Sequence, residues 1–110
     1  MIALNSPPKP VFQPGQLVQH RRYGYRGVVV HRDESCQAEE QWYLNNQTQP
    51  DRNQSWYHVL VDGSMTCTYA AAENLRVDQS GEPISHPLLK HFFSGFQGGR
   101  YVRNDELWPG

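Results

Sequence analysis

The sequence predicts a mainly β fold, namely a small SH3-like five-stranded barrel with a long loop, a short helical turn and a C-terminal helix. Three observations lead to this prediction. Valine-rich and alternating apolar segments recur along the chain, and such residues favour strands. An Asp62–Gly63 pair between two of these segments indicates a tight hairpin. A chain of 110 residues with 37% hydrophobic residues suits one small core.

The chain begins with residues 1–14, where four prolines favour extended backbone and predict a flexible arm. Residues 15–78 are predicted to form the barrel. Its first strand is expected at about Gln16–His20 and its second at Gly27–His31, joined by a turn at Arg21–Arg26.

Three consecutive valines, Val28–Val30, indicate a strand that is buried on both faces. The polar residues 32–54 follow, and a loop of this length is unusual unless it has a structure or a function of its own. We expect a short helix at about Ala38–Leu44, with Ser35 as its N-cap and Trp42 packed into the end of the barrel.

The clearest strand is Trp56–Asp62, because two sets of mostly apolar residues alternate along it. After the hairpin, a fourth strand is expected at Met65–Tyr69, one helical turn at Ala70–Asn74 and a fifth strand at Leu75–Val77. This order is typical of an SH3-like barrel, which closes and so removes exposed strand edges.

Residues 79–110 are predicted to form a helix and a tail that pack on the barrel. Pro87 suits the first helical turn, and Gly95 is expected to end the regular helix. Five apolar residues of this segment have helical spacing. They are Leu88, Leu89, Phe92, Phe93 and Phe96. If this stripe were exposed instead of packed, it would favour a homo-oligomer or another partner.

The two cysteines are too far apart in sequence for a CxxC motif. We expect Cys67 in the core and Cys36 as a free thiol in the polar loop, which favours a reducing, cytoplasmic setting. No stretch has the apolar length of a membrane span, so we predict a protein without a membrane partner.

The sequence predicts no catalytic residue, no metal site and no cofactor. His86 and His91 are five positions apart, whereas zinc-binding helices place their histidines four apart. A nucleophile elbow, an HExxH motif and a phosphate-binding loop are all lacking. We therefore expect a protein that is not an enzyme.

The candidate binding surface is the basic, aromatic turn between the first two strands. The net charge of −1 excludes a globally basic protein, so a polyanion would have to meet a local patch. Guanidinium groups suit phosphates and the guanine edge, and tyrosines stack on bases or contact sugars. The alternative is an ordinary charged turn whose tyrosines pack on the barrel. The candidate residues are His20, Arg21, Arg22, Tyr23, Tyr25 and Arg26.

Three blocks in the same order resemble the YccV-like, hemimethylated-DNA-binding domain family, whose members include the HspQ-like heat-shock proteins and domains of some F-box proteins. The blocks are Phe12–Val30 (FQPGQLVQHRRYGYRGVVV), Trp56–Asp62 (WYHVLVD) and Tyr69–Leu75 (YAAAENL). The segment His86–Trp108 is similar to the extension of the longer members.

The resemblance implies a small SH3-like barrel and two functions. The first is a non-enzymatic module that binds double-stranded, hemimethylated DNA, with the arginines of the turn on phosphates. The alternative is a protein-interaction adaptor in protein quality control and the stress response. In that case the turn would meet an acidic surface on a protease or on its client protein.

Overall fold

The computed structural model describes residues 10–109, so most of the predicted arm at 1–14 lies outside the described residues. Five strands form the main sheet and two more form a hairpin. The strands are β1 (Leu17–His20), β2 (Arg26–Asp33), β3 (Trp56–Val61), β4 (Cys67–Ala71), β5 (Leu75–Val77), β6 (Phe93–Gln97) and β7 (Arg100–Arg103). The helical elements are α1 (Glu40–Leu44), a 3₁₀ turn (Ala72–Asn74) and α2 (Leu89–Phe92).

The main sheet is antiparallel, with the strand order β4-β3-β2-β1-β5. The mainly β architecture and the five strands predicted before residue 78 are thereby confirmed. β4 and β5 lie at the two edges of the sheet and do not pair with each other. The strand pairing therefore does not close into a ring, and the SH3-like barrel stays a prediction.

Each face of the main sheet carries its own apolar core, and Val28–Val30 contribute to both, as the sequence predicts. On one face lie the buried residues Phe12, Val18, Val29, Tyr57, Val59, Ala70, Ala72 and Leu75. On the other face lie Leu17, Val28, Val30, Leu60, Ile84, Phe92, Phe93 and Tyr101. Since the second core includes residues of α2 and of both hairpin strands, the C-terminal segment covers that face of the sheet.

The predicted C-terminal helix is largely wrong. Helix α2 ends at Phe92, and the chain continues as strand β6. Gly98 and Gly99 have φ values of 62° and 79°, and this backbone allows the tight turn from β6 to β7. Of the expected stripe, Phe93 is buried, whereas Leu88, which precedes α2, and Phe96, near the end of β6, are exposed.

The long loop contains the predicted helix, but two of its expected details are wrong. The N-cap of α1 is Glu39 and not Ser35, since the helix begins only at Glu40. Trp42 is 40% exposed and lies against Trp56 and Tyr69 on the surface, so it does not fill the end of a barrel.

Both cysteines are free thiols, as predicted for Cys36, whereas the prediction that Cys67 lies in the core is wrong. Cys36 is buried beside Trp56 and Ala71 in a small third cluster. Cys67 is exposed at the start of the edge strand β4. Within residues 10–109, no helix is long and apolar enough to cross a membrane.

Candidate functional site

The turn between β1 and β2 is organised around His20. Its side chain is buried, and its Nδ1 accepts the backbone N–H groups of Arg22 at 3.1 Å and Tyr23 at 3.0 Å. An Nδ1 that accepts hydrogen bonds carries no proton, so His20 is held as the neutral tautomer. Burial, followed by the charge of Arg22, lowers the pKa of His20. His20 therefore shapes the turn from within instead of presenting a charge.

The two tyrosines of the turn have different roles. Tyr25 is partly buried, and its hydroxyl shares a 2.8 Å hydrogen bond with the hydroxyl of Thr68 on β4. Tyr23 is 53% exposed, stacks on His20 at 4.7 Å between ring centroids and donates its hydroxyl proton to Gln47. Tyr23 is thus the tyrosine that a ligand can reach, whereas Tyr25 joins the turn to β4.

Arg26, the third predicted arginine, is engaged in the fold. Its guanidinium donates to the Asp78 carboxylate at 2.7 Å, to Asp62 at 3.3 Å and to the Glu82 carbonyl at 2.6 Å. The hydrogen bond that Arg26 donates to Asp78 raises the pKa of Arg26, so the guanidinium stays charged. Because its donors are occupied by protein groups, the structure does not bring Arg26 together with Arg21 and Arg22 as a binding surface.

A different arginine, which was not among the candidates predicted from the sequence, lies near Arg21 and Arg22 instead of Arg26. Arg76 on β5 is exposed and donates to Gln19 at 2.9 Å, opposite it on β1. Arg21 reaches the same edge, where its Nε donates to the Leu75 carbonyl at 3.3 Å. No described carboxylate forms an ion pair with Arg21, Arg22 or Arg76. We call these three residues the cationic edge.

A groove of about 1210 Å³ lies between the turn, the long loop and β4. We call it the aromatic groove. The rings that line it come from five parts of the chain and include Tyr23, Trp42, His58, Tyr69 and Trp108. His58 stacks on Trp108 at 4.6 Å and lies 4.4 Å from Tyr69 between ring centroids. The C-terminal tail therefore lines one side of the groove, next to residues of β3 and β4.

One carboxylate organises the polar part of the aromatic groove. Asp33 accepts the Tyr69 hydroxyl proton at 2.6 Å, and it lies 3.0 Å from His31 Nε2 and 3.5 Å from His58 Nε2. Burial and the hydrogen bond to Asp33 raise the pKa of Tyr69, so its phenol stays protonated. Burial lowers the pKa of His58 although Asp33 opposes the shift, which keeps this ring neutral at pH 7.

This arrangement offers binding chemistry: aromatic faces, one fixed carboxylate and exposed guanidinium groups nearby. Among residues 10–109, no group of three or more His, Cys, Asp or Glu side chains is arranged to hold a metal ion. The groove was missed because its members are far apart in sequence. One part of the groove was indicated by the sequence, because the predicted hairpin pairs Trp56–Asp62 with the following strand and this pairing places His58 opposite Tyr69.

Curated relatives of this chain include the proteins named F-box only protein 21 from Pongo abelii, Homo sapiens and Mus musculus. Each is 39% identical over 97 residues, which is 84% of this chain and 15% of the relative. The chain thus spans only about 15% of the length of the curated relatives it matches.

The family described as "Hemimethylated DNA-binding protein YccV like" matches residues 10–100. The match includes the whole main sheet, the β1–β2 turn with the cationic edge, and the long loop that walls the aromatic groove. Both parts of the site therefore lie in the region that defines the family, with the exception of Trp108. This chain belongs to the YccV-like family.

Proposed function

We propose that this chain is a non-enzymatic DNA-binding module whose contact surface is the cationic edge. One observation supports this proposal above others: Arg21, Arg22 and Arg76 lie exposed at one end of the sheet, beside the exposed ring of Tyr23. The description of the family names hemimethylated DNA, and we propose a hemimethylated duplex as the ligand. We also propose an SH3-like barrel for the fold and the cytoplasm for the location.

The chemistry of the cationic edge suits a sugar–phosphate backbone. Guanidinium groups donate paired hydrogen bonds to phosphate oxygens, and a tyrosine beside them contacts the sugar or a base. If the protein makes three phosphate contacts, a plot of log affinity against log salt concentration should have a slope of about −3. With a net charge of −1, the protein adds little general attraction, so we expect weak binding at physiological salt.

The test is a titration of hemimethylated, fully methylated and unmethylated duplexes at two salt concentrations. We expect the Arg21→Ala, Arg22→Ala, Arg76→Ala triple variant to lose most affinity and most of the salt dependence. A matched control changes the exposed Arg100 and Arg103 of the β6–β7 hairpin to alanine. Absence of binding to all three duplexes at low salt would refute DNA binding, and equal binding to all three would refute methylation specificity.

A protein-interaction adaptor in protein quality control is the second candidate. It is favoured by the relatives' name, F-box only protein 21, and by a stress-response role implied by the HspQ-like resemblance. In this reading the cationic edge meets an acidic surface on a protease or its client. A pull-down that compares the parent protein with the triple variant tests this candidate. The adaptor is supported if the parent retains a defined protein partner that the variant loses, and if the parent has no affinity for DNA.

A further inference from the structure

The outer edge of β4 has unused backbone hydrogen-bonding groups. The N–H of Val61 bonds to the Thr66 carbonyl, and the N–H of Ala72 bonds to the Ser55 carbonyl. Bonded and non-bonded pairs alternate along an antiparallel ladder, so these two bonds fix which residues of β4 face β3. Cys67 and Tyr69 fall in the non-bonded pairs, and their N–H and C=O groups therefore point away from the sheet.

These groups lack partners in the part of the chain that the structure describes. No described residue hydrogen-bonds to the backbone N–H or C=O of Cys67 or Tyr69. Two donors and two acceptors thus alternate along an edge where Cys67 is exposed and Tyr69 is half-buried. An extended polypeptide offers the matching pattern of donors and acceptors.

The opposite edge of the sheet differs. On β5 the bonds from Arg21 N–H to Asn74 and from Asp78 N–H to Leu17 show that Leu75 and Val77 point outward. There the Leu75 carbonyl accepts the Arg21 side chain at 3.3 Å. Arg76, which lies on β5 itself, adds a charged side chain that discourages further pairing, so β5 is protected in a way that β4 is not.

The free edge of β4 opens into the aromatic groove. Four consecutive residues, Cys67–Ala70, line the groove along its length. Their side chains alternate between the two faces, with Thr68 beside Tyr25 and Tyr69 beside Trp42. A strand added to this edge would place successive side chains against aromatic rings on either side.

The charge of the groove determines which side chains an added peptide strand should carry. Asp33 and the exposed Glu39 line it, whereas no lysine or arginine does. Three histidines also line it: the His20 and His58 rings are neutral, since burial lowers the pKa of both, and the His31 ring lies 3.0 Å from Asp33. Carboxylates beside aromatic faces attract a cationic side chain and repel a phosphate backbone.

We propose that the free edge of β4 binds an extended peptide segment of a partner protein by strand addition, with a lysine or arginine of that segment held near Asp33 and Glu39. This site contains none of the arginines of the cationic edge, although Tyr23 borders both surfaces, and it goes beyond DNA binding. It uses backbone hydrogen bonds for affinity and the two carboxylates for selection.

The probe is the synthetic peptide acetyl-Thr-Val-Lys-Val-Thr-amide, titrated against the full chain with amide hydrogen exchange as the readout. We expect the amides of Cys67 and Tyr69 to become protected when the peptide binds. A peptide with glutamate in place of lysine should bind at least about tenfold more weakly because of like-charge repulsion. A peptide with N-methylated valines loses two ladder bonds and should bind about tenfold more weakly.

Matched protein variants locate the site. Cys67→Pro removes an outward N–H without breaking the ladder to β3, and should reduce peptide affinity about tenfold. Val77→Pro makes the same change on the β5 edge, where Val77 is 47% exposed, and should leave affinity unchanged. Glu39→Gln should narrow the difference between the lysine and glutamate peptides. The peptides themselves test the proposal if Cys67→Pro fails to fold.

Three results would overturn the proposal. One is equal binding of the lysine and glutamate peptides, and another is protection at Leu75 and Val77 instead of Cys67 and Tyr69. The third is protection of the β4 amides by a single-stranded oligonucleotide but not by the lysine peptide, which would make the groove a nucleic-acid site. Loss of DNA binding in the arginine triple variant with peptide binding intact would show that the two sites act independently.

Discussion

The Arg26 guanidinium bonds to the Asp78 carboxylate at 2.7 Å, across 52 positions of sequence. The pair ties the start of β2 to the residue after β5, and the Asp78 side chain is only 6% exposed. Removing one partner leaves a poorly solvated charge behind, which is more costly than losing an exposed ion pair. The most prominent arginine of the basic turn is therefore a stabilising residue.

We predict that Asp78→Asn lowers the free energy of unfolding by about 2 kcal/mol at pH 7, because hydrogen bonds to charged groups contribute this much. Burial alone would raise the pKa of Asp78, but hydrogen bonds from Arg26 and Ser80 outweigh it and lower the pKa. A lowered pKa gives stability that is present above the ordinary value of 3.8 and lost as the pH falls through the folded value. Urea unfolding at pH 7 and pH 3 should show the two proteins converging in acid; a constant difference would contradict this.

Tyr57 supplies a second long-range contact. Its fully buried hydroxyl accepts the backbone N–H of Phe12 at 2.8 Å. We predict that Tyr57→Phe costs about 1–3 kcal/mol, because the buried N–H of Phe12 is left without a partner. Urea unfolding measures this cost. Tyr23→Phe, which removes an exposed hydroxyl, is the control and should change stability by less than about 0.5 kcal/mol.

Gly27 and Gly63 are required for different reasons. A Cβ on Gly27 would overlap the Leu60 carbonyl and the Val59 side chain, whereas one on Gly63 would meet nothing, although Gly63 has a φ of 71°. We predict that Gly27→Ala costs about 3 kcal/mol through overpacking and Gly63→Ala about 1 kcal/mol through backbone strain. Thermal unfolding of the two variants should rank them in this order, and the reverse order would show that β2 and β3 can separate locally.

The His20 ring predicts a pH dependence near neutrality. Its pKa is lowered by burial and then by Arg22, so the unfolded chain takes up a proton first as the pH drops below the ordinary value of 6.5. Stability should therefore fall from pH 7 to pH 5, with His58 contributing in the same direction. His20→Gln should flatten this dependence in unfolding measurements, and an unchanged slope would exclude His20 as a source.

The strands of the main sheet could be predicted because their signal is local. Val28–Val30 and Trp56–Val61 carry their alternation within a few residues, and Gly63 marks the turn that follows. The C-terminal helix was wrong because the spacing from Leu88 to Phe96 fits a helix, while Gly98 and Gly99 terminate a strand. The glycine pair before Arg100–Arg103 was the hairpin signal that outweighed the stripe.

The site was harder to predict because its partners are distant in sequence. Nothing beside Arg26 indicates that Asp78 will neutralise it, and nothing beside Arg76 indicates that the β1–β5 pairing will bring it next to Arg21. The aromatic groove likewise depends on Asp33, Tyr69 and Trp108 meeting after the sheet and the tail have packed. The residue types of the turn were enough to predict a basic patch. Tertiary contacts, which the sequence does not display, determine which of its side chains stay exposed.

The Tyr101 N–H donates to the Gly15 carbonyl at 2.8 Å, and a Cβ on Gly15 would overlap the Tyr101 carbonyl. The segment just before β1 and strand β7 are therefore side by side. Tension applied through the flanking segments would first have to pull Phe12 away from Tyr57 and Trp108 away from His58, and it would reach the Gly15–Tyr101 contact only afterwards.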